Sequence, residues 1–164
     1  VVSGVLAVCL LLPSYGVYAE GFREYGNGRN RLSDRHSGQR GNLPRLSAAE
    51  LNLLGRHKFS LQWVSWERFG IAEFKRGKSG LEVKAKQSVN GNWVGMHGSV
   101  RVQDARTLYI TGTVVTQVSH INNGEPCVRE GTFEFRVTGK RKYWRMQQME
   151  NPCENVIDYI DIYF

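Results

Sequence analysis

The side chains that could do chemistry in this sequence are its histidines, its cysteines and a pair of carboxylates. The histidines are scattered, without the HxH or HxxxH spacing of a metal site: His36, His57, His97 and His120. No GxSxG, GxGxxG or P-loop motif is present, and Asp158 and Asp161 are spaced to fall on opposite faces of a strand. We therefore expect a protein that is not an enzyme and that has no metal site and no cofactor.

A second pattern, KRKYWRMQQMENPC at residues 140–153, places basic residues around a tyrosine and a tryptophan. Such a mixture is typical of surfaces that bind nucleic acid. A two-residue turn beginning at Gly139 would instead pair Phe135 with Trp144 and turn Trp144 toward the core. Arg145 would then face outward and form a cross-strand ion pair. We expect no nucleic acid as a partner.

Two cysteines, Cys127 and Cys153, remain if the first nineteen residues are removed. The same register sets Cys127 opposite Pro152, and a bulge at this proline would bring Cys153 within bonding range. In an oxidising compartment an even pair predicts one disulfide, which would stabilise the fold by about 3–4 kcal/mol. Two free, buried thiols are the alternative.

The first nineteen residues, VVSGVLAVCLLLPSYGVYA, have the pattern of a secretory signal peptide, residues 1–19. They carry no charge, are apolar from Val5 to Leu12, and end in a small-x-small triplet. The apolar run is shorter than the roughly 20 residues needed to cross a bilayer, so we expect no transmembrane anchor. Lipid modification of Cys9 is an alternative use of this segment. We predict a periplasmic or secreted protein.

Residues 20–45 are rich in Gly, Arg, Asn and Ser and predict a flexible basic arm. The chain has a net charge of +7, and residues 20–58 hold eight basic against four acidic side chains. In an exported protein such a positive field favours anionic partners, namely lipid headgroups, envelope polymers or acidic proteins.

Residues 46–164 predict one all-β domain that begins with a short helix at 48–54. Ser47 and Glu50 have the spacing of a capping box, and Gly55 can end the helix. Beyond residue 57 apolar residues alternate with polar ones and turn residues recur at short intervals, which predicts an antiparallel sheet. We expect eight strands, at 58–65, 69–76, 80–89, 93–103, 107–119, 127–138, 141–149 and 156–164.

The pair Asn90-Gly91 is preferred for a two-residue hairpin turn. Counting outward from it pairs Leu81 with Val100 and gathers the apolar residues on one face. The next loop sets Gly98 opposite Gly112, which indicates a sharp bend or the close approach of a ligand. Short connections throughout predict a single antiparallel up-and-down eight-stranded barrel, with the short N-terminal helix over one mouth.

The interior and the outer wall of this barrel each offer candidate binding residues. The inward face is almost wholly apolar, includes Trp63, and could be a filled core or a cavity for an apolar ligand. On the outer face of the fourth and fifth strands lie Trp93, His97, Arg101 and Tyr109. Exposed aromatic side chains beside a basic group are typical of partner surfaces, unless the arm or the helix covers them.

The predicted architecture resembles the calycins, that is, the lipocalins and other small eight-stranded barrels. GNW at Gly91–Trp93 is similar to the lipocalin Gly-x-Trp motif, which in that family lies on the first strand. The ending YWRMQQMENPCENVIDYIDIYF resembles the tails of small exported bacterial proteins of uncharacterised function. LPRLSAAEL, at Leu43–Leu51, is similar to the arm of periplasmic metalloprotease inhibitors, whose N-terminal residues enter the protease cleft.

Together these features predict an exported, non-enzymatic binding protein for an apolar or amphipathic small ligand, such as a lipid, or for an envelope component. One alternative is a protein-binding inhibitor or envelope interaction protein that uses the N-terminal arm. Another is a purely structural envelope factor.

Overall fold

The fold follows the alternation of apolar and polar residues along the chain. A computed structural model describes residues 43–164, in which eight consecutive strands pair antiparallel and close into one barrel behind a short helix. The predicted fold class is therefore confirmed. The predicted signal peptide and most of the predicted arm, residues 20–45, lie outside the described residues.

The helix, α1, covers Ala48–Leu53. The strands are β1 (Gly55–Leu61), β2 (Gly70–Gly77), β3 (Gly80–Val89), β4 (Asn92–Asp104), β5 (Thr107–Gln117), β6 (Cys127–Arg136), β7 (Tyr143–Met146) and β8 (Ile160–Tyr163). A single 3-10 turn, Asn122–Gly124, lies between β5 and β6.

The start of α1 is held by the predicted capping box. Ser47 Oγ accepts a hydrogen bond from the Glu50 N–H at 3.2 Å, and Glu50 Oε2 accepts one from the Ser47 N–H at 2.8 Å. The helix ends one residue earlier than predicted, because Leu54 is extended, with φ −57° and ψ 134°. None of the helical segments within residues 43–164 combines the length and the apolar character that crossing a bilayer requires.

The hairpin between β3 and β4 has the predicted turn and register. Asn90 and Gly91 have φ of 51° and 83°, the positive values that a type I′ turn needs. Leu81 pairs with Val100, as counting outward from the turn predicts.

Facing glycines mark a corner of the barrel where three strands approach closely. Gly98, Gly112 and Gly131 lie side by side on β4, β5 and β6. A Cβ built on Gly98 would come within 2.4 Å of the Thr111 carbonyl oxygen, and one on Gly112 within 2.1 Å of the His97 carbonyl oxygen. Neighbouring backbone, rather than a ligand, occupies this space.

The predicted two-residue turn between β6 and β7 is wrong. Phe135 pairs with Met146 rather than with Trp144, because the strands are joined by a longer loop, residues 137–142. Arg106 fixes this loop by donating from Nη2 to two of its carbonyl oxygens, at 3.0 and 2.8 Å. The register changes by two residues, so every side chain stays on its predicted face and Trp144 points into the core.

Strands β7 and β8 are four residues each, much shorter than the predicted 141–149 and 156–164. The chain between them, residues 147–159, makes backbone hydrogen bonds within itself. The Asn151 N–H donates to the Val156 carbonyl at 3.0 Å, and the Asp158 N–H donates to the Met149 carbonyl at 2.7 Å. This loop therefore folds over the barrel mouth instead of extending the sheet.

The predicted disulfide is present. Cys127, at the start of β6, is bonded to Cys153, in the loop 147–159, with their Cα atoms 5.9 Å apart. The bond ties the loop to the barrel wall.

Side chains fill the interior of the barrel. The largest fully buried ones are Phe59, Leu61, Phe74, Leu81, Gln87, Met96, Leu108, Ile110, Phe135, Met146, Ile160 and Ile162. Of the two possibilities left open by the sequence, a cavity and a filled core, burial supports the filled core.

Candidate functional site

The predicted partner residues on the outer wall are spread along β4 and β5 rather than gathered in one cluster. The Arg101 guanidinium lies 4.3 Å from the centre of the Tyr109 ring. Trp93, eight residues earlier, donates from Nε1 to Gln117 Oε1 at 2.7 Å. Eight residues of strand span about 26 Å, with the exposed His97 between these two groups. One small ligand therefore could not contact all four.

Trp63 lies at the barrel mouth opposite α1. Its Nε1 donates to the Ile157 carbonyl at 3.2 Å, and its ring centre is 6.0 Å from that of His120. The crevice that Trp63 lines with Ile121 and Asp158 has a volume of about 0 Å³ for a water-sized molecule. Trp63 closes this mouth rather than lining a ligand cavity.

A buried ion pair lies beneath the same mouth. Arg129 donates from Nη2 to Asp158 Oδ2 at 2.9 Å, and Asn151 donates from Nδ2 to the same oxygen at 3.0 Å. Arg129 is not among the site residues predicted from the sequence. Alternation along β6 places Arg129 on the same inward face as Phe133 and Phe135. Its even spacing from these two residues could have predicted its burial from the sequence.

Burial dominates the electrostatics of this pair. Desolvation raises the pKa of the Asp158 carboxyl above its ordinary value, although Arg129 and the Asn151 hydrogen bond oppose the rise. Desolvation also lowers the pKa of the Arg129 guanidinium. Both directions are those of a pair whose desolvation cost exceeds its Coulomb attraction. The pair therefore fastens the loop 147–159 to β6 at this mouth.

The other mouth is covered by α1 and by the last residues of the chain. Leu53 is buried, and its carbonyl oxygen lies 3.0 Å from His57 Nε2, while His57 Nδ1 lies 3.1 Å from the Tyr163 carbonyl oxygen. The Phe164 ring packs edge-on against Trp144, with ring centres 4.7 Å apart. These contacts fix α1 on the barrel.

We call this mouth and its loops the helix end, defined by residues 43–56, 76–81, 103–107, 136–142 and 164. It exposes four large apolar side chains: Leu43 (52%), Leu51 (46%), Leu54 (38%) and Phe164 (59%). A shallow depression of about 400 Å³ opens on it beside Arg106 and Arg136. Apolar surface of this kind, left uncovered by the fold, is typical of a contact surface.

The helix end is strongly basic. Nine exposed basic side chains lie on it: Arg45, Arg56, Arg76, Lys78, Arg106, Arg136, Lys140, Arg141 and Lys142. Its acidic residues are Glu50 and Asp104. The opposite end, made by loops 62–69, 118–126 and 147–159, exposes one basic residue, Arg68, and four acidic residues, Glu67, Glu125, Glu150 and Glu154. The charge is therefore divided between the two ends of the barrel.

The helix end is not among the sites predicted from the sequence. Its basic residues come from four separate segments of the chain. Only at residues 140–142, KRK, are three of them consecutive in the sequence. That run begins within the two-residue turn that the sequence predicts at Gly139. In an up-and-down barrel every even-numbered connection between strands lies at the same end, here together with the start of the first strand, and this rule would have brought these segments together.

Comparison with known proteins gives the chain a family. The PM1083 family matches residues 39–164, a span that contains the whole described barrel. A protein of Pasteurella multocida (strain Pm70), described as "Uncharacterized protein PM1083", is 51% identical over 119 residues, which cover 73% of this chain and 78% of the relative. No solved structure matches the chain. On the family match and this identity, the chain belongs to the PM1083 family.

Proposed function

We propose that this chain is an exported, non-enzymatic binding protein that docks by its helix end on an anionic lipid surface of the cell envelope. The observation that carries the proposal is the division of charge. Nine basic and two acidic residues lie at the helix end, against one basic and four acidic exposed residues at the opposite end. An anionic surface attracts the first end and repels the second.

Exposed apolar side chains lie among the basic ones. Leu51 lies on α1, Leu54 follows directly after it, and Phe164, which packs against Trp144, is exposed at the same mouth. Leucine and phenylalanine enter the boundary between headgroups and acyl chains, while lysine and arginine are attracted to anionic headgroups. The helix end combines both interactions on one rigid surface.

The filled interior supports binding on the outside of the barrel. Phe59, Phe135 and Met146 are among the side chains that occupy the space a lipid would need. The sequence predicts either an amphipathic ligand or an envelope component as the partner. A lipid surface of the envelope fits both descriptions.

Export is supported by the disulfide, because such bonds form and persist mainly in oxidising compartments. The signal-peptide pattern of residues 1–19 points to the same compartment.

Co-sedimentation with lipid vesicles tests the proposal. The purified chain should sediment with vesicles of phosphatidylcholine mixed with phosphatidylglycerol and should stay in solution with phosphatidylcholine alone. Added salt should weaken the binding, because it screens the exposed charges. Equal binding to both kinds of vesicle would contradict the electrostatic part of the proposal.

Two matched charge variants locate the surface. Lys140→Gln at the helix end should weaken binding about fivefold, because each basic residue near an anionic membrane contributes about 1 kcal/mol. Arg68→Gln removes the same charge at the opposite end and should have no effect. Leu51→Ser, which removes an exposed apolar side chain, should weaken binding without altering its dependence on salt. Equal losses from Lys140→Gln and Arg68→Gln would overturn the assignment of the surface.

A further inference from the structure

We infer that the outer wall formed by β7, β8 and β1 carries a binding site for an acidic saccharide chain. The site is an aromatic strip, defined here as Phe69, Tyr143, Tyr159 and Tyr163, with cations set against its rings. It runs along the side wall of the barrel, and it shares one cation, Arg141, with the helix end.

Three rings of the aromatic strip are in contact one after another. The ring centres of Phe69 and Tyr163 are 5.1 Å apart, and those of Tyr163 and Tyr143 are 5.2 Å apart. They come from the loop before β2, from β8 and from β7, which the barrel brings together because β8 pairs with both β1 and β7. Phe69 is 38% exposed and the tyrosines are partly exposed. Ligands can therefore reach them.

A cationic side chain lies near three of the four rings of the strip, namely Phe69, Tyr143 and Tyr159. Lys58 Nζ lies 5.2 Å from the centre of the Phe69 ring, and the Arg141 guanidinium lies 5.7 Å from that of Tyr143. The Arg145 guanidinium lies 5.2 Å from the Tyr143 ring and 4.2 Å from the Tyr159 ring. These distances are within the range of cation–π attraction.

The negative charge that balances Arg145 is hidden beneath the strip. Asp161 is fully buried, and both of its carboxylate oxygens accept hydrogen bonds from Arg145 at 2.7 Å. This bidentate pair holds the guanidinium in place between two rings, so it is ordered before any ligand arrives. The exposed Lys58 and Arg141 lie on either side and can meet an anionic group of the ligand.

The arrangement suits a saccharide with carboxylates. The C–H groups on the face of a sugar ring carry partial positive charge and pack on the negative face of an aromatic ring. Lysine and arginine make charge-assisted hydrogen bonds to carboxylates. The planes of Phe69 and Tyr163 are 77° apart, and those of Tyr143 and Tyr163 are 49° apart. Parallel nucleic-acid bases could not stack along such rings, whereas successive rings of a sugar chain are turned relative to one another.

This site gives a use to the basic and aromatic stretch at residues 140–153. Its outward-facing side chains, Arg141, Tyr143 and Arg145, join the strip. The stretch is therefore half of a binding surface whose other half comes from β8 and the loop before β2.

Isothermal titration calorimetry with tetragalacturonate, a carboxylated tetrasaccharide, tests the inference, with the neutral maltotetraose as comparison. We expect saturable binding of tetragalacturonate and at least about tenfold weaker binding of maltotetraose, since the latter lacks the charge-assisted contacts. Phe69→Ala and Tyr143→Ala should each weaken the binding of tetragalacturonate about tenfold. Tyr143→Phe keeps the ring and should retain binding, which separates loss of the contact from loss of the fold.

Trp66→Ala is the matched control, because Trp66 is an exposed aromatic residue (51%) in the same loop as Phe69 but outside the strip. It should bind tetragalacturonate as the unchanged chain does. Phe69→Ala should still bind vesicles that contain phosphatidylglycerol, so failure here and failure of the proposed lipid docking are distinguishable. Absence of saturable binding, equal binding of the neutral sugar, or equal losses from Trp66→Ala and Phe69→Ala would each overturn the inference.

Discussion

Arg129 shows how a single inward-facing charge determines the structure around it. Arg129 is buried because it lies on the inward-facing side of β6, and a buried guanidinium requires a carboxylate partner. The loop 147–159 supplies Asp158, and Cys153 in the same loop forms the disulfide to Cys127. One ion pair and one covalent bond therefore hold the same loop over the mouth.

The replacement Arg129→Met should lower the free energy of unfolding by about 3–5 kcal/mol, because it leaves the Asp158 carboxylate buried and uncompensated. The double variant Arg129→Met, Asp158→Leu should recover most of that loss, since neither side chain then has to be desolvated as an ion. Urea unfolding followed by circular dichroism, with the disulfide intact, measures both. A double variant no more stable than the single one would show that the pair itself stabilises the barrel.

At the scale of elements, one interior side chain positions the loop between β1 and β2. Gln87 Oε1 accepts a hydrogen bond from the Leu61 N–H at 2.7 Å, and Gln87 Nε2 donates to the carbonyl oxygens of Ser65 and Arg68, both at 2.9 Å. Strand β3 thereby holds the loop 62–69, whose last residue is Phe69 of the aromatic strip.

Gln87→Leu should lower the free energy of unfolding by about 1–3 kcal/mol, because it leaves the buried Leu61 N–H without a partner. Hydrogen exchange should quicken in residues 61–69, which lose their anchor, and should stay unchanged in the hairpin of β3 and β4. Exchange that quickens equally in both segments would mean that Gln87 contributes only to the general packing.

Prediction from sequence succeeded where residues close together in the chain decide the structure. Asn90-Gly91 fixes both turn type and register, and Ser47 with Glu50 fixes the helix start. It failed in the loop 137–142, whose shape depends on Arg106, about thirty residues away. Nothing local to that loop reveals such a bond.

The candidate surfaces were harder to predict than the fold, for the same reason. Alternation along a strand is a local property, and it correctly predicts that one outer wall carries Trp93, His97, Arg101 and Tyr109. The use of these residues in binding stays a prediction. The helix end and the aromatic strip each assemble segments that only closure of the barrel brings together. Tyr143 and Tyr163 are twenty residues apart in the chain yet directly paired across β7 and β8.

At the scale of the whole molecule, the barrel is rigid, filled and divided in charge between its ends. A filled barrel offers its surface rather than its interior, and the division of charge gives that surface a direction. On an anionic bilayer we expect the helix end to face the lipid and the end that carries Trp63 to face away. The aromatic strip, on the side wall, would then stand beside the membrane and remain open to a saccharide.

The most direct test of this account is to find which end of the barrel touches the lipid. An environment-sensitive fluorophore is attached to Leu51→Cys at the helix end and, in a second variant, to Ser119→Cys at the opposite end, and emission is recorded with vesicles that contain phosphatidylglycerol. We predict a blue shift for the label at position 51, because it enters the apolar boundary, and no shift for the label at position 119. A blue shift at position 119 alone, or at neither position while the protein sediments with the vesicles, would contradict docking by the helix end.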